Sequence, residues 1–366
     1  MKRLSIGIII LASLFGSAHL ALALHRHTPA QLQVTTAPSQ TIGGQAFAGQ
    51  GTVLVFHSDS DPLGNGNTAP QIFVFNLGER VKRHKDGIYQ ITKGDQACLN
   101  PTAAKRAHVL GFVSAGDVLM NGSVGRQIFF STKAKYAIGN VPLFQLTRAP
   151  GESFSPALSG DGRMMAFAST TDLAGENFPA GTHLYRSQLR TFQRSKCKGY
   201  PCPSGPGLVS SGLDTIAPVE AFNPTVDFQG THVAFESAGD VAGTGCVNGS
   251  RQIFVKDYST TPSTFKQLTF GTGDSRNPVI TGDATAVVFE SDADLLHTGS
   301  TRTQIFLSDL AQTPPKLSQL TAGTDGDSTN PTFAILTSGG FNRISFLSDA
   351  TLLPTGTPGT KQAFVY

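Results

Sequence analysis

The run "DSDPLGNGN" at residues 59 to 67 gathers Asp59, Asp61, Asn65 and Asn67 into one short loop. Hard oxygen atoms at that density suit calcium, although the spacing is not that of an EF-hand loop. The competing role is structural, because a strand-end Asp accepts bonds from the backbone N–H groups of the turn that follows it. Recurrence at Asp117, Asp172, Asp240 and Asp294, with Thr351 at a sixth equivalent place, favours the structural role. His57, Ser58 and Asp59 make a triad on paper only, since neighbouring strand residues point to opposite faces. No GxSxG occurs, and "GESFS" at Gly151 lacks the second glycine. The glycine run from Gly43 to Gly51 has no strand-to-helix context for phosphate binding. His25 and His27 flank Arg26 in what reads as a basic tail. No cofactor is required on this reading, and calcium is the one candidate.

Four cysteines complete the reactive inventory. Cys197 and Cys202 bracket only "KGYP", which suits a small looped disulfide contributing about 2 kcal/mol. Cys98 and Cys246 are distant in sequence, and their pairing stays open. A zinc site would need a second paired half. Basic residues cluster at Lys82, Arg83 and Lys85, at Lys133 and Lys135, and at Arg194, Lys196 and Lys198, a candidate patch for an anionic partner.

The chain opens with Lys2 and Arg3, an apolar run from Leu4 to Phe15, and Ala21 and Ala23 in an AxA-type site. That pattern is a secretory signal peptide over residues 1–23, followed by a flexible segment at 24–30, and it implies a periplasmic or secreted protein. Losing two positive charges takes the formal +3 to about +1. Bulk charge then gives no reason to invoke nucleic acid, and no integral membrane segment is expected after cleavage. A monomer is expected.

These residues are positioned by a repeat. A FxS triplet occurs at Phe56, Phe112, Phe167, Phe235, Phe289 and Phe346, with steps of 56, 55, 68, 54 and 57 residues. Twelve residues earlier stand Asn100, Ser155, Asn223 or Asn277, each followed by proline, and "NP" recurs at Asn330. Proline there suits the first residue of a strand. After each triplet come a "QIF"-like run and, at Gln90, Gln145, Leu208, Gln267 and Gln319, a "QIT", "QLT" or "LVS" run. Each unit therefore holds four short strands, a to d. With 40 Gly, 21 Pro, 25 Phe and 14% charged residues, the composition suits strands and turns and leaves little for helices. Units of this kind repeated six times predict an all-β, six-bladed propeller of four-stranded antiparallel blades over residues 31–366. The blades fall at about 44–92, 100–147, 155–210, 223–269, 277–321 and 330–366. The last unit lacks strand d, and residues 31–36 of "QLQVTTAPSQ" are expected to supply it and close the ring.

Strings such as "NPTVDFQGTHVAFES" and "RQIFVKDYSTTPSTFKQLTFGTGDSRNP" resemble the WD40-like PD40 repeats of TolB-type propellers. The resemblance implies a six-bladed propeller. The sequence departs from TolB, which carries an α/β domain before its propeller, in having only the short segment 24–30 between the expected cleavage site and the first strand-like run. It leaves the role open, since one propeller fold serves binding proteins, enzymes and peptidase gates. The expected function is a non-catalytic module that binds or scaffolds a protein or envelope component. The alternative is a lactonase, lyase or glycosidase with a site in the central funnel, which requires a metal or paired carboxylates. Topology collects the repeated Asp residues, with others such as Asp95, Asp214 and Asp274, on the face of the b–c loops. No asymmetric charged cluster around the axis is expected.

Overall fold

Runs such as "HVAFES" and "AVVFES" put an apolar side chain on both sides of the strand, so each must be covered by a neighbouring sheet on either face. The computed structural model describes residues 42–48, 53–76, 87–132, 142–189, 210–217, 219–243, 249–335, 341–353 and 359–366. They form six antiparallel sheets and no helix. Blade 1 holds β1 (Ile42–Ala48), β2 (Val53–Ser58), β3 (Gln71–Asn76) and β4 (Gly87–Gln90). Blade 2 holds β5 (Cys98–Ala103), β6 (Val109–Ser114), β7 (Gln127–Thr132) and β8 (Leu143–Gln145). Blade 3 holds β9 (Ser153–Leu158), β10 (Met164–Ser169), β11 (His183–Leu189) and β12 (Ser210–Ala217). Blade 4 holds β13 (Ala221–Val226), β14 (His232–Ser237), β15 (Gln252–Asp257) and β16 (Thr264–Gln267). Blade 5 holds β17 (Ser275–Ile280), β18 (Ala286–Ser291), β19 (Gln304–Asp309) and β20 (Lys316–Gln319). Blade 6 holds β21 (Ser328–Ile335), β22 (Phe341–Ser348) and β23 (Gln362–Val365). First strands of consecutive blades touch, β1 with β5 and so on to β17 with β21, as the inner staves of a six-bladed propeller.

In every blade the FxS aromatic faces the "QIF" aromatic across strands b and c. Phe235 and Phe254 stack at 5.8 Å, Phe289 and Phe306 at 5.8 Å, and Phe346 and Phe364 at 5.5 Å. In blades 2 to 6 the pair presses on the aliphatic face of the blade before it: Phe235 and Phe254 on Ala166, Ala168 and Leu184, and Phe289 and Phe306 on Ala234, Ile253 and Val255. Large rings on one face and small or aliphatic side chains on the other make the blades interlock.

The repeated glutamine and threonine form a clamp. Thr92, Thr269 and Thr321 each donate a hydroxyl to the "QIF" glutamine at 2.7 or 2.8 Å, and these three and Thr147 accept the N–H of the isoleucine that follows the glutamine at 2.9 Å. The glutamine amide in turn bonds carbonyls of the d-to-a turn, as Gln252 does with Gly271 and Gly273. Strands c and d are thus fastened at one end of the blade. Blade 3 departs, with His183 and Ala217 at those places and His183 Nε2 at 2.9 Å from the Pro179 carbonyl.

Three details differ from the sequence reading. Proline does not open strand a: Asn100, Ser155, Asn223, Asn277 and Asn330 lie inside their strands with φ between 48° and 54°. All five sit where the pairing register shifts by a residue, so the "NP" and "SP" pairs mark β-bulges, another place where a missing N–H is tolerated. In blade 3, strand d is β12, and Thr215 takes the register place that the glutamine of "QLT" takes elsewhere, opposite Tyr185. The "LVS" at Leu208 precedes it. Asp214 therefore belongs to mid-strand β12, where it pairs with Arg186 at 3.1 Å, and not to the loop face. Residues 31–36 lie outside the described residues.

At the opposite end of blade 4, His232 Nδ1 is 3.1 Å from Asp227 and its Nε2 is 3.2 Å from Asp257. The bond to Asp227, with both negative charges, holds the imidazole pKa above its ordinary value of 6.5. A raised pKa adds stability that is fully present below pH 6.5 and is lost as pH rises through the folded-state value. The melting temperature of the wild type should therefore fall more than that of His232→Gln between about pH 6 and pH 9. Parallel profiles would show that the two contacts carry no linkage.

Candidate binding face and channel mouth

The b–c loops are organised by their aspartates. Asp61 accepts the N–H groups of Asn65 at 2.9 Å and Gly66 at 2.6 Å, plus the Asn67 side-chain amide at 3.1 Å. Asp117 does the same for Asn121 and Gly122, Asp172 for Gly175 and Asn177, and Asp294 for Thr298 and Gly299. The Asn65 N–H holds the Asp61 carboxyl below its usual range, and the Asn121 N–H does so for Asp117. In blade 6 the roles are exchanged: Asp325 of the d-to-a loop accepts the Thr351 N–H at 2.9 Å and its hydroxyl at 2.6 Å. The third residue after each Asp is left-handed: Gly64, Met120, Gly175, Gly243 and His297. Strand d tethers the same loops, since Gln90 accepts the Asn65 amide at 2.6 Å, Gln145 the Asn121 amide at 2.6 Å, and Gln319 the Thr298 hydroxyl at 3.1 Å.

At the inner end of this face lies a row of polar groups that the sequence reading missed. Glu236, with no exposure, accepts Arg251 Nη1 at 2.7 Å, the Asn277 N–H at 2.8 Å and the Asn223 amide at 3.3 Å. Asn277 then donates its own side-chain amide to Glu290 at 2.8 Å, and Glu290 takes the Asn330 N–H at 2.6 Å. The left-handed φ at Asn277 and Asn330 turns each N–H sideways onto the carboxylate of the preceding blade. Burial pushes the Glu290 pKa up, and the charge of Glu236 adds to the rise. The expectation of no asymmetric cluster is therefore corrected: blades 4 and 5 carry paired carboxylates where the others have His57, Val113, Ala168 and Leu347. The signal was the middle letter of FxS read across the repeats, together with the Asn of "NP".

The likeness to solved structures is one of fold. The propeller domain of the Trilobed protease from Pyrococcus furiosus, which has an open velcro topology, superposes with a TM-score of 0.51 at 7% identity over 91% of this chain and 82% of that one. A puromycin-hydrolysing peptidase from Mycobacterium tuberculosis gives 0.51 at 11% identity, covering 92% of this chain and 46% of that one. TolB from Acinetobacter baumannii gives 0.43 at 14% identity, covering 77% of this chain and 57% of that one. The chain thus spans less than two thirds of the latter two proteins. No family model and no curated protein matches it.

Of the candidate calcium residues, Asp61, Asn65 and Asn67 do come together, but around N–H donors. The amides of Asn65 and Asn67 point at Gln90 and Asp61, so the Asp61 oxygens face hydrogen atoms that hold a turn. Asp59 stands just before them in the chain. Among the described residues no three His, Cys, Asp or Glu side chains are grouped to share an ion. Cys98 is a buried free thiol, and its pKa is raised by burial. Cys197, Cys202 and Cys246 lie outside the described residues, as do Lys82, Arg83, Lys85, Lys133, Lys135, Arg194, Lys196 and Lys198.

Proposed function

We propose that this chain is an exported, non-catalytic binding or scaffolding module that meets a protein or envelope component through its b–c loop face. The observation that carries the reading is the internal locking of those loops. Asp61, Asp117, Asp172 and Asp294 close their own turns, and strand d tethers three of them, so the face is set before any partner arrives. A preorganised face loses little conformational freedom on docking. The resemblance to TolB-type repeats and the leader-like N-terminus support an envelope setting. Among the described residues no helix is long and apolar enough to cross a membrane. The basic clusters from Lys82 to Lys198 are proposed as a second surface, for an anionic partner. We also propose that the ring closes through the segment that begins at Gln31, which adds a fourth strand beside β23.

The enzyme alternative has one observation in its favour, the raised pKa of Glu290 beside Glu236. Both carboxylates, however, already hold donors from the next blade, which is how inter-blade anchors behave. Cross-linking the full chain in its native envelope should recover a discrete partner in fixed ratio. Recovery of none, together with hydrolysis or elimination of a sugar or lactone that Glu290→Gln abolishes, would replace the binding reading with the enzyme.

A further inference from the structure

Four blades expose an aliphatic side chain at one equivalent point. The second residue after the loop aspartate, or after Thr351 in blade 6, is Leu63, Leu119, Leu296 or Leu353, exposed by 42%, 37%, 39% and 54%. Single exposed leucines are ordinary, but the same position repeated around one face of a disc is a patterned surface. Blades 3 and 4 carry Ala174 and Ala242 there. Blade 2 goes further, adding Val124 at 63% and Met120 at 94% exposure. Met120 is held at φ 52°, where blades 1, 3 and 4 have glycine. A side chain kept in a conformation that glycine adopts freely, yet making almost no contact, points outward to a use.

Charge selects the occupant. A carboxylate fixed by turn N–H groups precedes each of Leu63, Leu119 and Leu296 by two residues, and Asp325 is bonded to Thr351 beside Leu353. Two cations stand near the blade 2 loop: Arg126 is engaged by Glu152, and Arg148 is bonded to the Asn121 carbonyl at its back, so the carboxylates of the other loops set the sign. Such a surface repels anionic lipid and attracts a chain that alternates apolar with cationic side chains. We propose that this crown docks a segment of a partner polypeptide in which leucine-like residues are interspersed with lysine or arginine. The inference rests on the binding reading above and names its surface and partner chemistry.

Three synthetic 12-residue peptides would serve as probes, made of alternating Leu and Lys, Leu and Glu, or Ser and Lys, with binding read by fluorescence anisotropy. The Leu/Lys peptide should bind, and the other two at least about tenfold more weakly. A protein carrying Leu119→Ser, Met120→Gly and Val124→Ser should lose about tenfold in affinity for it with an unchanged melting temperature. Equal binding of all three peptides, or an unaffected variant, overturns the crown. So does crown-dependent binding to phosphatidylglycerol vesicles, or crown-dependent dimerisation of the chain. If a native envelope partner is recovered equally by wild type and variant, the binding reading stands and only the crown falls.

Discussion

Glu236→Ala should lower the free energy of unfolding by about 3 to 5 kcal/mol, the range for breaking a buried ion pair at one end. Three donors converge on this carboxylate, and each loses something different. Arg251, whose side chain is 36% exposed and stacked 4.4 Å over Phe222, can turn partly to water. The Asn277 N–H cannot, because the left-handed bulge fixes its direction between two blades. Asn223 keeps its bond to Asn277 at 3.2 Å. Glu236→Gln should cost about half as much: it preserves volume and one acceptor, but places an amide donor against either Arg251 or the Asn277 N–H. Urea unfolding with an unchanged m-value would give both numbers. A loss below about 1 kcal/mol for the alanine variant would mean that water replaces the carboxylate and that the row is not an inter-blade anchor.

Removing residues 31–36 should lower the melting temperature by at least about 5 °C, the scale set by a few kcal/mol in a large domain. The reason lies in the clamp. In four other blades strand c is fastened to d through glutamine and threonine, yet Gln362 of β23 has no fourth strand beside it among the described residues. The segment contains Gln33, Val34 and Thr35, a copy of the Gln-hydrophobic-Thr pattern. Spacing selects this over an alignment on Gln31 and Leu32. From the clamp threonine to the left-handed bulge residue is eight residues on entering blades 2, 3 and 5 and nine on entering blade 6, and from Thr35 to position 44, at the β1 bulge, it is nine. Thr35→Val should therefore move the melting temperature in the same direction as the deletion, and Thr36→Val should not. A truncated protein that melts with the wild type would refute the closure.

The architecture was legible because its signals are cumulative: six FxS triplets in register leave one fold. What was misread are places where one residue type has two permitted positions. Proline tolerates a strand start and a bulge equally, and only the paired register of β5, β9, β13, β17 and β21 separates them. Strand d of blade 3 escaped because Thr215, Ile216 and Ala217 keep the geometry of "QLT" without its glutamine or its threonine, while "LVS" upstream imitates it. Glu236 and Glu290 were hidden inside a motif valued for its flanking Phe and Ser. The loop aspartates were read correctly as turn acceptors, since that role is local to the chain.

The prolines at positions 101, 156, 224, 278 and 331 follow the left-handed residue of the inner staves β5, β9, β13, β17 and β21, while β1 has a glycine pair at its bulge. An inner stave is the edge of its sheet, and an unbroken edge of N–H and C=O groups would invite its neighbours to zip onto it. Each bulge bends that edge, and each proline deletes a donor from it. The staves consequently meet through side chains and single sideways bonds, and six separate sheets are kept from merging around the axis into one closed barrel.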